Sequence, residues 1–332
     1  MGSKRKLLLL SAALISMITP SAASAPPPCG EPTAVLLVTG LEGASGSTVG
    51  PGGALYVTEG AAGRISRVDP KTGDVTTFAS GLPTAIVGIG GAIDVAFIGA
   101  TAYALVTLVG SDVGGSNVVG IYRVDGPDSF TVVADLGEFS ESNPPNIPVD
   151  VPTGVQYALE AYRGGFLVTD GHHNRVLHVT LDGEVTEFIA FDNIVPTGLA
   201  VSGNTVYMAE AGPIPHLPQD GKVVSFGPKS PTATEVASGA SLLVDVEFGR
   251  GRTLYALSQG DWPLGGPPAS PALPNTGALV EVNGDGTFTV VTDGLNQPTS
   301  VEFIRNAAYV VTLAGEIWKI DGVSCPPYGV SR

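Results

Sequence analysis

The sequence predicts an all-β fold, a six-bladed β-propeller, on three observations. A unit of short apolar strands recurs six times along the chain. The 332 residues include 45 Gly and 27 Pro, which leaves little room for long helices. The last unit lacks a fourth strand, while an unassigned strand at 34–38 precedes the first unit. Together these features are typical of four-stranded blades arranged in a ring.

Each unit begins with a strand of the type Pro-Thr-Gly-Leu-Ala-Val, followed by an aromatic-bearing strand and a third strand that often carries Arg or Lys. Asp-Gly turns between apolar runs, at Asp182-Gly183 and Asp285-Gly286, indicate hairpins into the fourth strand. The predicted first strands are 45–49, 93–97, 153–157, 197–201, 244–248 and 299–303. The predicted fourth strands are 75–79, 130–134, 185–189, 233–237 and 287–292.

The ring is predicted to close through the chain termini. Strand 34–38 would complete the last blade, so that no sheet edge stays open between the first and last repeats. Cys29 precedes this strand and Cys325 follows the last third strand, and the chain has no other cysteine. In an oxidising compartment such a pair favours a disulfide, which stabilises by on the order of 5 kcal/mol for so long a loop. Two unpaired thiols are the alternative.

Residues 1–25 are predicted to be a secretory signal peptide, cleaved near 23–25. Lys4, Arg5 and Lys6 precede an apolar stretch at 7–18, and small residues follow it. The apolar stretch is too short to span a bilayer comfortably. A buried N-terminal helix is the alternative. We therefore expect residues 26–332 to form a single propeller domain in a secreted or periplasmic location.

The negative net charge of the chain argues against nucleic acids and anionic membranes as partners. The formal net charge is −15, and the positive signal segment makes no contribution after cleavage. Nucleic acids and anionic membrane surfaces repel so acidic a protein. No later stretch has the 18 or so uninterrupted apolar residues that a membrane span needs. We expect a monomer that binds a small molecule or a protein, without nucleic-acid binding or membrane insertion.

One face of the ring carries the long connections. Because strands alternate in direction, the starts of first strands and the ends of second strands share this face, here called the top face. Its long connections are predicted at 108–119, 140–151, 211–220 and 261–277, and binding sites concentrate on such loops. The candidate ligand-binding residues are the acidic ends of second strands and nearby His and Trp residues: Glu59, Asp170, His172, His173, Glu210, His216 and Trp262. For each of them a local structural role is the alternative.

The central channel offers a second candidate site. The second position of each first strand is predicted to face the channel, which gives Gly46, Asp94, Gly154, Gly198, Asp245 and Ser300. Asp94 and Asp245 belong to opposite blades, so their carboxylates can face each other and hold Ca²⁺ or another divalent cation. In the alternative interpretation, each Asp braces neighbouring backbone amides. No cofactor is required by the sequence.

Two segments resemble a known family. These are Gly53-Ala54-Leu55-Tyr56-Val57-Thr58-Glu59-Gly60 and Val168-Thr169-Asp170-Gly171-His172-His173-Asn174-Arg175-Val176. They resemble the ScyD/ScyE family of exported propeller proteins, over essentially the whole mature chain at the level of blade pattern. NHL-type repeats share the Asn-Arg-Val feature. The resemblance implies a six-bladed propeller outside the cytoplasm and supplies no established reaction.

The wider resemblance is to the regucalcin and gluconolactonase group, which implies a divalent-metal-dependent lactonase with Glu, Asn and Asp ligands. Asp245 matches the Asp, whereas Gly46, Gly154 and Gly198 stand at other channel positions. His172 resembles a loop His of virginiamycin B lyase only loosely. Since HExxH, CxxC, Gly-x-Ser-x-Gly and phosphate-loop motifs are lacking, a non-enzymatic binding or scaffold protein is favoured. A metal-dependent lactonase or hydrolase and a purely structural surface protein are the alternatives.

Overall fold

The computed structural model describes residues 30–230, 232–268 and 270–324, and it contains six four-stranded antiparallel sheets. The first strand, β1 (Thr33–Val38), belongs to the sixth sheet. Blade one contains β2 (Ala44–Val49), β3 (Leu55–Glu59), β4 (Arg64–Val68) and β5 (Val75–Ser80). Blade two contains β6 (Gly91–Ile98), β7 (Thr101–Thr107), β8 (Gly120–Gly126) and β9 (Ser129–Asp135). Blade three contains β10 (Gln156–Tyr162), β11 (Gly165–Asp170), β12 (Arg175–Val179) and β13 (Val185–Ala190).

The second half of the chain repeats this arrangement. Blade four contains β14 (Pro196–Ser202), β15 (Thr205–Glu210), β16 (Lys222–Phe226) and β17 (Thr234–Ser238). Blade five contains β18 (Leu243–Phe248), β19 (Leu254–Ser258), β20 (Gly277–Val282) and β21 (Phe288–Leu295). Blade six contains β22 (Pro298–Ile304), β23 (Ala307–Thr312), β24 (Ile317–Asp321) and β1.

The innermost strands of the six sheets pack side by side around a central channel, and β22 of blade six lies beside β2 of blade one. The predicted all-β, six-bladed propeller is therefore confirmed. Strand β1 pairs antiparallel with β24, with Thr33 opposite Asp321. Cys29, Cys325 and the predicted signal peptide lie outside the described residues, so the disulfide and the export signal stay predictions.

The hydrophobic core lies between blades rather than within one sheet. Six apolar clusters are present in the described part of the chain, and each is shared by two neighbouring blades. Strand alternation produces them, because side chains on the two faces of each sheet point toward the two neighbouring blades. Leu105 and Phe166, for example, are fully buried between blades two and three. Burial of one such side chain stabilises the fold by about 2 kcal/mol.

Among the residues that the structure describes, one α-helix interrupts the β pattern. Helix α1 (Leu136–Ser142) begins directly after β9, and the Asp135 side chain caps it by accepting a hydrogen bond from the Glu138 N–H at 2.8 Å. The helix begins before the connection predicted at 140–151 and overlaps only its first three residues. No helix among the described residues is long and apolar enough to cross a membrane.

The predicted first strand of blade three, 153–157, is wrong in position. The strand observed there is Gln156–Tyr162. Gly154 precedes it in a turn with φ +80°, closed by its N–H to the Val151 carbonyl at 3.0 Å. The Thr-Gly motif of blade three therefore forms a turn, although the same motif in blade four lies within a strand.

Candidate functional site

The first strand of each blade contributes one residue to a ring that lines the central channel. Gln156 pairs with Asp170 as Pro196 pairs with Glu210, so the residue of blade three that corresponds to Gly198 is Ala158. The observed ring of channel residues is Gly46, Asp94, Ala158, Gly198, Asp245 and Ser300. Five of the six predicted positions therefore line the channel, and Gly154 is replaced by Ala158.

Asp94 joins blade two to blade three. One carboxylate oxygen accepts a hydrogen bond from the Leu159 N–H at 2.7 Å, and the other accepts from the Val95 N–H at 2.8 Å. Asp245 repeats this arrangement between blades five and six, with the Val301 N–H at 2.8 Å and the Val246 N–H at 2.9 Å. Both carboxylates thus brace backbone amides, as the alternative interpretation of these residues expects.

Two glycines make room for these carboxylates. A Cβ atom on Gly46 would lie 2.1 Å from Oδ1 of Asp94, and one on Gly198 would lie 2.3 Å from Oδ1 of Asp245. Both distances are far below van der Waals contact, so any side chain at either glycine displaces the brace. Gly46 and Gly198 offer no side chain to a lactonase metal site, and their role in the channel is to leave room for Asp94 and Asp245.

Three glutamates form a second layer of the channel that the sequence analysis missed. Glu160, Glu247 and Glu302 line the channel two residues after Ala158, Asp245 and Ser300. Strand alternation provides the signal that could have identified them, because residues i and i+2 share a face. Glu247 accepts a hydrogen bond from the Phe248 N–H at 2.6 Å.

Protein surrounds these carboxyl groups closely enough to change their ionisation. Burial raises the pKa of Glu247 to about 8 and that of Asp245 to about 7. Burial also raises the pKa values of Asp94, Glu160 and Glu302 well above their usual range, and the neighbouring channel carboxylates add to the effect. The channel therefore retains protons near neutral pH.

The cavity between these residues is small. Its volume is about 40 Å³, which fits one or two water molecules, whereas ligand pockets enclose about 300–1,000 Å³. Among the described residues, no group of three or more His, Cys, Asp or Glu side chains has the geometry to hold a metal ion. The channel is thus built as a narrow polar axis.

The acidic ends of second strands lie on the top face but are buried. Glu59 accepts two hydrogen bonds from Arg64, at 2.8 and 2.6 Å, and others from the Ser66 hydroxyl and the Glu42 N–H. Although burial opposes ionisation, these donors lower the pKa of Glu59. Glu59 therefore holds strands and loop together in blade one.

Glu210 is the counterpart of Glu59 in blade four, and its environment differs. It lies opposite Lys222 across the strand pair, but the Lys222 ammonium contacts Glu235 at 2.7 Å. Burial raises the pKa of Glu210 to about 7, with Lys222 opposing the shift. Unlike Glu59, Glu210 therefore titrates near neutral pH.

Asp170, His172 and His173 fasten the connection between blades two and three. His172 Nε2 accepts hydrogen bonds from the N–H groups of Asp150 and Val151, at 3.1 and 3.3 Å. His173 Nε2 lies 3.2 Å from the Val151 carbonyl, and burial lowers the His173 pKa. Asp170 accepts from the N–H groups of Val155 and His173, at 3.0 and 3.2 Å. The structure brings the three residues together, as a loop clamp.

His216 and Trp262 join the loops of blades four and five. His216 is buried, its Nδ1 lies 2.7 Å from the Gly212 carbonyl, and burial lowers its pKa. Its ring meets Trp262 edge-on, with 6.0 Å between centroids. Only 7% of Trp262 is exposed, so this side chain pins the loop instead of offering a stacking surface to a ligand.

The top face exposes large apolar side chains alongside polar ones. Exposed large apolar side chains lie at the tips of its connections: Ile86, Val87, Ile89, Ile147, Ile214, Leu264 and Leu273. Leu264 is the most exposed of them, at 78%. The connections that carry Ile214 and Leu264 touch through the His216–Trp262 contact. We call these seven residues the apolar tips.

The comparisons with known proteins show the fold. No protein-family model and no curated protein matches the chain. A gluconolactonase from Xanthomonas campestris matches with a TM-score of 0.60 and 13% identity, over 92% of this chain and 99% of that one. The PQQ-bound aldose sugar dehydrogenase of Streptomyces coelicolor matches with a TM-score of 0.58 and 15% identity, over 89% and 99%. Virginiamycin B lyase from Staphylococcus aureus matches with a TM-score of 0.53 and 14% identity, over 88% and 99%.

Proposed function

We propose that the chain is an exported, non-catalytic binding or scaffold protein of the ScyD/ScyE type, which docks a partner protein on its top face. The observation that carries this proposal is the set of apolar tips. Scattered exposed apolar side chains are ordinary on protein surfaces, but their concentration on one face is typical of an interaction site. Export follows from the predicted signal peptide.

The distribution of the apolar tips favours a protein partner over a small molecule. Ile86, Val87 and Ile89 belong to the connection between blades one and two, whereas Ile214, Leu264 and Leu273 belong to blades four and five on the opposite side of the ring. Only a partner with an extended surface contacts both groups at once. The buried clamps, such as His216 on Trp262, fix the loops before binding and so reduce the entropic cost of docking.

The docking proposal is tested by cross-linking the purified mature chain in the extracytoplasmic fraction of its own source. A variant with Ile86→Ser, Ile214→Ser, Leu264→Ser and Leu273→Ser is expected to lose a specific cross-linked partner. The control variant carries Leu181→Ser and Val290→Ser, which remove exposed apolar side chains elsewhere on the ring. Equal loss in both variants, or retention in both, would overturn the proposal.

A divalent-metal-dependent lactonase of the gluconolactonase type is the second candidate, favoured by the ring of carboxylates around the channel and by the likeness in fold to a gluconolactonase. Against it stand the channel volume and the backbone partners of Asp94 and Asp245. A screen of lactones and esters with Ca²⁺, Mg²⁺, Mn²⁺ and Zn²⁺ decides between the two. Turnover abolished by Asp94→Asn or Asp245→Asn would establish the lactonase, and no turnover with any metal is expected.

We also propose that strand β1 and a Cys29–Cys325 disulfide close the ring. Thr33 lies opposite Asp321, and the two cysteines are each four residues beyond this pair. The Gly30 carbonyl oxygen lies 3.7 Å from the point that a Cβ on Gly322 would occupy. Mass spectrometry of alkylated protein without reduction is expected to find no labelled thiol. The Cys29→Ser, Cys325→Ser variant should melt roughly 8 °C lower, for a loss of about 5 kcal/mol.

A further inference from the structure

A basic groove lies on the face opposite the top face, where blades six and one meet. Five cationic side chains line it: Arg67, Lys71, Arg250, Arg305 and Lys319. The groove is open and has a volume of about 600 Å³, within the range of about 300–1,000 Å³ that is usual for ligand sites. In a chain with a net charge of −15, this concentration of positive charge is not expected from composition.

The walls of the groove are fixed to each other. The turn after β4 supplies Asp69, Pro70 and Lys71, and the turn after β22 supplies Arg305. The Tyr309 hydroxyl of blade six donates a hydrogen bond to the Pro70 carbonyl of blade one at 2.9 Å. This bond ties the two walls together, so the groove exists before any ligand arrives.

The two acidic residues of the groove, Asp69 and Asp321, offset only part of the charge of its five cationic side chains. Asp321 pairs with Lys319 at 2.9 Å. Asp69 accepts hydrogen bonds from the N–H groups of Lys71 and Thr72, which lower its pKa. The side chains of Arg67, Lys71 and Arg305 form no ion pair or hydrogen bond with any other described residue. Three cationic groups thus remain available to a ligand.

We propose that the basic groove binds a small organic anion with two or more acid groups, whether carboxylate, phosphate or sulfate. The planar guanidinium groups of Arg67 and Arg305 match the oxygen pairs of all three acids. Lys71 adds a mobile point charge at the rim. This site lies away from the apolar tips and uses no channel residue, so it does not depend on the docking of a protein partner.

Calorimetry on the mature chain tests the proposal, with citrate, pyrophosphate and a sulfated disaccharide as probes. The ionic strength is about 0.15 M, where a Debye length of about 8 Å screens the remote acidic surface. At least one probe is expected to bind one to one with a submillimolar Kd. Comparison of the three Kd values shows whether the groove prefers carboxylate, phosphate or sulfate groups. The variant Arg67→Gln, Arg305→Gln should bind at least tenfold more weakly.

A matched variant provides the control. Arg123 lies opposite Tyr103 in blade two, as Arg67 lies opposite Tyr56 in blade one. Arg163, with φ 50°, occupies the turn of blade three that corresponds to the turn of Arg305, with φ 61°, in blade six. Arg123→Gln, Arg163→Gln removes the same charges outside the groove and should leave Kd unchanged. Equal weakening in both variants would show a general charge effect and overturn the proposal.

If the groove variant fails to fold, the site is tested instead by the changes in the amide chemical shifts of the wild-type chain when each probe is added. The probe that binds should shift the amides of residues 67–71, 304–309 and 319 most. Absence of heat with all three probes, or shifts concentrated elsewhere on the ring, would contradict the proposed site.

Discussion

Blades one to three and blades four to six repeat one another around the channel. Gly46 and Asp94 in the first half correspond to Gly198 and Asp245 in the second, with the same close approach of glycine to carboxylate. Each Asp accepts an amide hydrogen bond from the blade that follows. A repeated pair with the same local partners is the mark of a structural device, and it explains why carboxylates face a channel of such small volume.

The two halves differ at their last position and in the layer below. Ser300 accepts a hydrogen bond from the Ser47 N–H at 3.2 Å and so joins blade six to blade one, whereas its counterpart Ala158 has no side chain that can do this. In the glutamate layer, Glu160 and Glu302 correspond, but Glu247 stands where the first half has Ala96. The two halves therefore share the Asp hydrogen bonds that join neighbouring blades, and the second half has one more glutamate in the channel.

The largest expected effect comes from removing the braces. Asp94→Ala and Asp245→Ala each leave two backbone N–H groups without an acceptor, at about 1–3 kcal/mol for each group. Both variants should lose about 3 kcal/mol of unfolding free energy in urea, and Ser300→Ala about 1 kcal/mol. A large loss from one Asp variant and none from the other would break the equivalence of the two halves.

Filling the space beside the braces should cost nearly as much. Gly46→Ala and Gly198→Ala force a carboxylate and the backbone behind it to move, which costs about 1–3 kcal/mol. Because the clash is partly with the Asp side chain, the double variant Gly46→Ala, Asp94→Ala should lose less than the sum of the single losses. Additive losses in this double-mutant cycle would show that the two residues act separately.

Most of the fold was predictable from the sequence, because strand alternation and turn residues are local signals. The six repeats and the incomplete last unit gave the ring, and Asp94 and Asp245 were placed on the channel. The prediction of the first strand of blade three was wrong because the Thr153-Gly154 motif forms a turn. The role of the candidate site was not predictable: whether Glu59 or His173 faces solvent or a local donor depends on neighbours distant in sequence, such as Val151 for His173.

Blades one and four offer a sharper contrast in a single residue. Glu59→Gln should cost about 2 kcal/mol near neutral pH, since the buried carboxylate loses its charge-assisted bonds to Arg64. The folded pKa of Glu59 is lowered, so this contribution is present above the unfolded pKa and is lost as the pH falls through the folded value. Glu210→Gln at pH 8 should be neutral or stabilising by up to about 1 kcal/mol. A loss from Glu210→Gln equal to that from Glu59→Gln would refute the contrast.

A pH-dependent effect is expected from Glu247, the extra glutamate of the second half. The folded pKa of Glu247 is about 8 against an ordinary value of 4.5, so the folded state binds more protons than the unfolded state between these values. Its stability therefore falls as the pH rises through this window. Glu247→Gln should raise the free energy of unfolding at pH 8 and leave it unchanged at pH 4. The same gain at both pH values would exclude titration as its cause.

Thermal unfolding with and without millimolar Ca²⁺ tests the central claim, that Asp94 and Asp245 brace the ring, most directly. A ligand that binds the folded state raises its melting temperature by mass action. If the two residues are braces, the wild type melts at the same temperature in Ca²⁺ and in chelator, and Asp94→Asn and Asp245→Asn melt at a lower temperature in both conditions. A rise with Ca²⁺ in the wild type that both variants abolish would contradict the claim.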